Sequence, residues 1–163
     1  MTIHSFIIFD RHCNCIYKRE YSHELNNNPL SGPINKNNDS NSSKLLFGIL
    51  YSLKTIASKL IPEDNINELR SFNIGDFRIH FWESLSRFKF ILITNKEVNI
   101  DLQSILFQLY SKYFIKYVVE NGLSPIEFKY YEKDPKENEV SAKINNGKFI
   151  EETDKYLQTL SIF

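Results

Sequence analysis

The chain predicts an α+β fold, a five-stranded antiparallel sheet carrying helices in the order β-β-α-β-β-β-α-α. Three observations predict it. Two β-like runs open the chain, joined by a polar turn; residues 44–60 and 101–121 repeat their apolar residues at helical spacing; and three further β-like runs lie between those two helices. The 163 residues fit a single domain spanning 1–163, interrupted by an Asn- and Ser-rich loop at about 22–43. A chain of that size buries roughly 70% of its unfolded surface, so it needs no metal or disulfide staple.

The first strand is Ile3 to Phe9, a mostly apolar run suited to a strand covered on both faces. Asp10, Arg11 and His12 supply a turn, and Cys13 to Tyr21 reads as the second strand of an antiparallel hairpin. From Ser22 to Ser43 only Leu25, Leu30 and Ile34 are large and apolar, too few to order the segment, which is expected to be a flexible loop.

A helix is expected from Lys44 to Leu60, with Ser42 or Ser43 as its cap and Pro62 as its stop. Its core stripe is predicted to be Leu45, Leu46, Ile49, Leu50, Leu53, Ile56, Ala57 and Leu60. Lys44, Phe47, Tyr51, Lys54 and Ser58 then fall on the opposite face. Two aromatic residues a turn apart on an outward face read either as cover beneath a loop or as a protein contact.

Glu68–Ile74, Phe77–Glu83 and Phe88–Asn95 follow as strands, with turns at Gly75-Asp76 and at Leu85-Ser86-Arg87. His80, without an acidic or nucleophilic neighbour in sequence, reads as structural. A second helix runs from Asp101 to Asn121 and stops at Gly122. Its core stripe is predicted as Leu102, Ile105, Leu106, Leu109, Tyr113 and Tyr117, which leaves Phe107, Phe114, Ile115 and Val118 as a further apolar surface for another subunit. Glu132 to Glu139 reads as a solvated loop and Phe149 to Leu160 as a final helix.

Composition narrows the function classes. Twenty Lys and Arg balance twenty Asp and Glu, giving a formal net charge of zero, without the basic excess of a general nucleic-acid binder. The five glycines are scattered, so neither a Walker A loop, a dinucleotide-binding turn nor a nucleophile elbow can be written. Cys13 and Cys15 are one residue apart, about 7 Å in extended chain, which suits two reduced thiols of a cytosolic protein better than a disulfide. His12 alternates to the opposite face and no second Cys/His pair exists, so no metal site is expected. No catalytic residue and no cofactor-binding residue is assigned. The N-terminus has a strand pattern rather than that of a signal peptide, and no apolar run reaches the 18 or so residues of a membrane span.

Three stretches resemble a known family. Phe9-Asp10-Arg11-His12-Cys13-Asn14-Cys15-Ile16-Tyr17 is similar to the start of the small core subunit of TRAPP, the transport protein particle, of the Bet-five type in the sybindin-like group. Lys44 through Lys54 is similar to the opening of that family's first helix, and Tyr113 through Pro125 to its second helix and exit. The turn at Leu85-Ser86-Arg87 lacks the family's usual glycine. The resemblance implies a longin-like (SNARE-like) fold and a non-catalytic subunit of a vesicle-tethering assembly. That assembly promotes guanine-nucleotide exchange on a Rab-family GTPase in endoplasmic reticulum-to-Golgi and Golgi transport. It further implies a synbindin-type longin partner, Bet-three-type subunits, no nucleic acid, no cofactor, and a cytoplasmic protein that reaches Golgi and endoplasmic reticulum membranes only through the complex. The competing reading is a longin-type adaptor, such as a clathrin-adaptor small chain, without exchange activity. Candidate interface residues are Lys44, Phe47, Tyr51, Lys54, Phe107, Phe114, Ile115 and Val118.

Overall fold

The computed structural model describes residues 2–21, 40–60, 68–129 and 142–161. Strands β1 (Ile3–Phe9) and β2 (Cys15–Glu20) form the first hairpin. Helix α1 (Ser40–Lys59) follows, then β3 (Ser71–Ile74), β4 (Phe77–Glu83) and β5 (Lys89–Asn95). A helix begins as α2 (Gln103–Gln108) and continues in wide π-type turns over Leu109–Val119; α3 (Gly147–Gln158) ends the described fold. The strands run in the order β2-β1-β5-β4-β3, every neighbour antiparallel. This is the longin-like α+β arrangement expected from the sequence.

Alternation along the strands divides the core into two. Phe6, Ile8, Ile16, Phe90 and Leu92 point to one face, where α2, its π-type extension and α3 cover them with Leu102, Leu106, Leu109, Phe114, Phe149 and Leu157. Ile7, Phe9, Ile79, Phe81 and Ile91 point to the other face and meet α1, chiefly through Leu50. The C-terminal layer is pinned to the sheet by polar contacts as well. Arg19 donates to Asp154 at 2.8 Å, and Tyr21 donates to the other oxygen of the same carboxylate at 2.8 Å. Ile144 N donates to Ile16 O at 2.9 Å, giving the outer edge of β2 a backbone partner. Asn146 caps α3 by accepting from Lys148 N and donates to Tyr117 O at 2.7 Å, which ties the two helices together.

Two turns carry left-handed backbone without glycine. Cys13 has φ 71° in the first hairpin, and Arg87 has φ 66° in the Leu85-Ser86-Arg87 turn, the slot a glycine would fill without strain. Gly75, at φ 57°, fills that slot in the β3–β4 turn.

Four expectations are corrected. Residues 40–43, assigned to the flexible loop, are the first turn of α1, while 22–39 and 132–139 lie outside the described residues. The third strand begins at Ser71 rather than Glu68. The core stripe of α1 is displaced: Leu45, Ile49, Ile56 and Leu60 are exposed, whereas Phe47, assigned outward, is half-buried against the sheet. The helix is apolar over most of its circumference, so the sheet's aromatic and aliphatic surface decides which side goes down. In the second helix Phe114 and Val118 are buried instead of forming an outer surface. Buried positions step from Leu109 to Phe114 to Val118, following the longer π-type repeat, whereas an α-helical count had placed Tyr113 and Tyr117 in the core.

Candidate interaction surface

Helix α1 crosses one end of the sheet, and its position is set residue by residue. Ser43 is buried at the first turn, 4% exposed. Phe47 meets Phe9 of β1 with ring centroids 5.7 Å apart, and Lys89 of β5 holds its ammonium 5.6 Å from the Phe47 ring centre. Leu50 is 2% exposed, and Lys54 pairs with Glu83 at the end of β4. Phe47 is therefore the sheet-side anchor of the helix, and Lys54 pairs within the chain.

The outward side is apolar. Leu45 is 69% exposed, Ile49 41%, Tyr51 63%, Ile56 52% and Leu60 73%. Single exposed leucines are ordinary, but Leu45, Ile49 and Ile56, with Leu60 just past the helix end, share one face and form a patch, while Tyr51 stands to the other side, stacked on Phe47. Lys44 is exposed at its N-terminal end. Of the expected contact residues on this helix, Lys44 and Tyr51 are exposed, and so are Leu45, Ile49, Ile56 and Leu60, which the helical count assigns to the core. Leu45/Ile49 and Ile56/Leu60 stand at paired i, i+4 spacing, which puts them on one face.

On the opposite side of the sheet the second candidate surface shrinks. Phe107 is 52% exposed and rests on Trp82, centroids 5.8 Å apart; Ile115 is half-buried. Phe114 sits among Phe88, Phe90, Tyr110 and Phe149 and is core.

The first hairpin turn is built by Asp10. Its carboxylate accepts from Asn14 N at 2.8 Å, its own N–H donates to Asn14 O at 2.9 Å, and it is 2% exposed. Arg11 pairs with Glu127. Cys13 is exposed; Cys15 is half-buried, and its desolvation pushes the thiol above the ordinary range. No nucleophile–base pair forms here, and among the described residues no group of three or more His, Cys, Asp or Glu could hold a metal ion. His80 is 1% exposed with Nε2 3.1 Å from Thr94 Oγ1; burial, reinforced by Arg78, lowers its pKa to about 4. A neutral buried imidazole with a hydroxyl partner is a structural histidine. No helix among the described residues is long and apolar enough to cross a membrane.

This sheet order, with one helix on one face and two on the other, and a polar hairpin turn built on an aspartate, accompanies a family match. The sybindin-like family matches residues 3–130, and the chain belongs to that family. Among its relatives, the chain is 37% identical over 157 residues to the trafficking protein particle complex subunit BET5 of Saccharomyces cerevisiae, covering 96% of each chain. It is 26% identical to the transport protein particle subunit bet5 of Schizosaccharomyces pombe over the full length of both. It is 31% identical over 123 residues to trafficking protein particle complex subunit 1 of Dictyostelium discoideum, covering 74% of this chain and 80% of that one.

Proposed function

We propose that this chain is a non-catalytic core subunit of a trafficking protein particle complex, acting as one longin-like domain. The observation that carries the reading is the 37% identity to the Saccharomyces cerevisiae subunit over 96% of both chains. The apolar outer side of α1 supports it, because a subunit needs surface that a lone monomer would bury. The finer reading is that the subunit helps form a composite surface promoting guanine-nucleotide exchange on a Rab-family GTPase in endoplasmic reticulum-to-Golgi and Golgi transport. Its partners are a synbindin-type longin subunit and Bet-three-type subunits, and it meets membranes peripherally, through the complex, from the cytoplasm. Exchange of this kind needs no proton transfer or covalent step. A surface that binds the nucleotide-free GTPase more tightly than the loaded one suffices. Lys44, Tyr51, Phe107 and the half-buried Ile115 are proposed contact residues, with Leu45, Ile49, Ile56 and Leu60 added.

The test has two parts. Affinity purification of the chain followed by mass spectrometry should return trafficking-particle subunits; clathrin-adaptor chains in their place would overturn the reading. Nucleotide release from a Rab-family GTPase should be absent with the chain alone and appear only with the assembled subunits. Rapid release by the purified single chain would overturn the composite surface.

A further inference from the structure

The loop that leaves the second helix carries a chemical feature the fold does not use. Ser124-Pro125 is the one Ser-Pro or Thr-Pro dipeptide in the chain. Proline directly after the acceptor hydroxyl is what a proline-directed protein kinase requires. The ring has no N–H and a fixed φ, and it favours extended backbone at the residue before it, the shape in which a kinase cleft holds its acceptor. Residues 120–129 lie outside every helix and strand. Leu123 is 95% exposed and Ile126 101%, so the residues on either side of the dipeptide stand clear of the body. Ser124 N donates to Asn121 O at 2.9 Å and Leu123 N to Asn121 Oδ1 at 3.1 Å, a local turn that shapes the loop from within.

Ser124 is half-buried because it lines a cavity of about 300 Å³ between this loop and the entry to α3. Val118, Phe128 and Ile144 are its apolar lining, and Asn121, Lys143 and Asn146 its polar lining. Among the described residues Lys143 is the only charged group on that lining. Glu120 and Glu127 belong to the same loop but do not line the cavity, and Glu127 pairs with Arg11. A phosphoryl group on Ser124 adds about −1.5 to −2 charges and three acceptor oxygens, for which a lysine and side-chain amides are the matching donors. The helix behind it does not oppose the charge: Ser124 stands five residues past Val119, and the negative end of a helix acts only within its last turn. Ile144 N donates to Ile16 O and Asn146 donates to Tyr117 O, so a phosphate held by Lys143 joins the loop to a segment already tied to β2 and to the second helix.

We infer that Ser124 is a phosphoacceptor for a proline-directed kinase and that its phosphate seats in this cavity against Lys143. In the transfer the Ser124 oxygen attacks the γ-phosphorus of ATP, and the bond from that phosphorus to the β,γ-bridging oxygen breaks. The hydroxyl proton passes to the catalytic base of the kinase, and ADP leaves. Nothing in this site depends on which assembly the chain joins, so it stands apart from the proposed function.

The experiment incubates the purified full chain with a mitogen-activated protein kinase and ATP, then maps the phosphate by intact mass and peptide sequencing in the mass spectrometer. A single phosphate at Ser124 is expected. Ser124→Ala and Pro125→Ala should each lower incorporation at least about tenfold while keeping the parent's circular-dichroism spectrum. Phosphorylation should raise the melting temperature of the parent by about 2–4 °C. Lys143→Ala, melted with and without the phosphate, should show little of that gain. The same phosphopeptide should be found in chain purified from its own cells under phosphatase inhibition, and its absence there across growth conditions would overturn the inference. So would phosphate on other residues, equal incorporation into Pro125→Ala, or a free peptide of residues 119–129 that is phosphorylated while the folded chain is not. A phosphorylated chain with an unchanged melting temperature, or a gain that survives Lys143→Ala in full, would overturn the seat in the cavity.

Discussion

The two faces of the sheet are built to different depths. On the side of α2, its π-type extension and α3, the core gathers eighteen buried hydrophobic residues among those described; on the α1 side it gathers six. The first side is also cross-braced by Asp154 and Asn146 and by a run of aromatic contacts from Trp82 through Phe90 and Phe114 to Phe149. The second is held by one buried leucine, the half-buried Leu46 and Phe47, and a surface ion pair. One face secures the fold; the other anchors a helix by few points and turns its remaining apolar side outward. A helix packed this lightly adds less to stability than the two on the other face.

The largest test of that difference compares a phenylalanine from each side. Phe114→Ala removes a ring that is 1% exposed and touches four aromatic neighbours, and should cost about 3–5 kcal/mol in urea unfolding. Phe47→Ala removes a ring already half in water and should cost about 1–2 kcal/mol, because transfer free energy scales with the area withdrawn from solvent. Equal losses would mean that α1 is as firmly built in as α2, and the contrast between the faces would fall.

The same pair shows what could be read from sequence. Strand β4 was legible to the residue, since Ile79 and Phe81 alternate with His80 and Trp82 and nothing competes with a period of two. The helices were legible in existence but not in rotation. In α1 apolar residues stand at 45, 46, 47, 49, 50, 51, 53, 56, 57 and 60, so several stripes are equally apolar and only contact with Phe9 and Lys89 selects the one bearing Phe47. In the second helix the α-helical count was correct through Leu109, after which the wider turns carry Phe114 and Val118 inward. Backbone repeat length is a tertiary outcome, and side-chain hydrophobicity does not encode it. The hairpin turn at Asp10 was legible because an aspartate accepting from the backbone four residues on is a local device.

Acid should weaken the thick face through His80. Its imidazole binds a proton near the ordinary pH of 6.5 when unfolded but only at about 4 when folded. Between those values the unfolded chain holds the extra proton, so stability falls as pH drops from 6.5 to about 4 and is unaffected by this group above 6.5. The full loss amounts to up to ~3 kcal/mol at about 1.4 kcal/mol per unit. Thermal melts from pH 7 to 4 should show a steeper decline in the parent than in His80→Gln. Parallel curves would mean that His80 is hydrated in the folded state.

The brace between the sheet and α3 comes next. Asp154→Ala leaves the Arg19 guanidinium and the Tyr21 hydroxyl, both mostly buried, without their shared acceptor. Unfolding should be easier by about 1–3 kcal/mol, the cost of orphaning buried polar groups rather than of losing an exposed ion pair. Lys54→Ala, which breaks the corresponding pair on the α1 side, should change stability by less than about 1 kcal/mol, because its side chain is 49% exposed. A larger loss from Lys54 than from Asp154 would reverse the ranking of the faces.

The smallest effect has the opposite sign. Gly48→Ala should stabilise the isolated chain by about 0.5–1 kcal/mol, because the added methyl meets nothing within 4 Å and the helix gains propensity. Most substitutions in a packed element destabilise, so a gain at an interior helix position marks a residue kept for something other than the stability of its own chain. The measurement is the urea midpoint at constant slope, with Ala57→Gly as the reverse change on the half-buried side of the same helix. Ala57→Gly should lose at least as much as Gly48→Ala gains. A loss at Gly48→Ala would mean that the glycine serves the fold of this chain itself, and the outer side of α1 would then be no more than a loosely covered core.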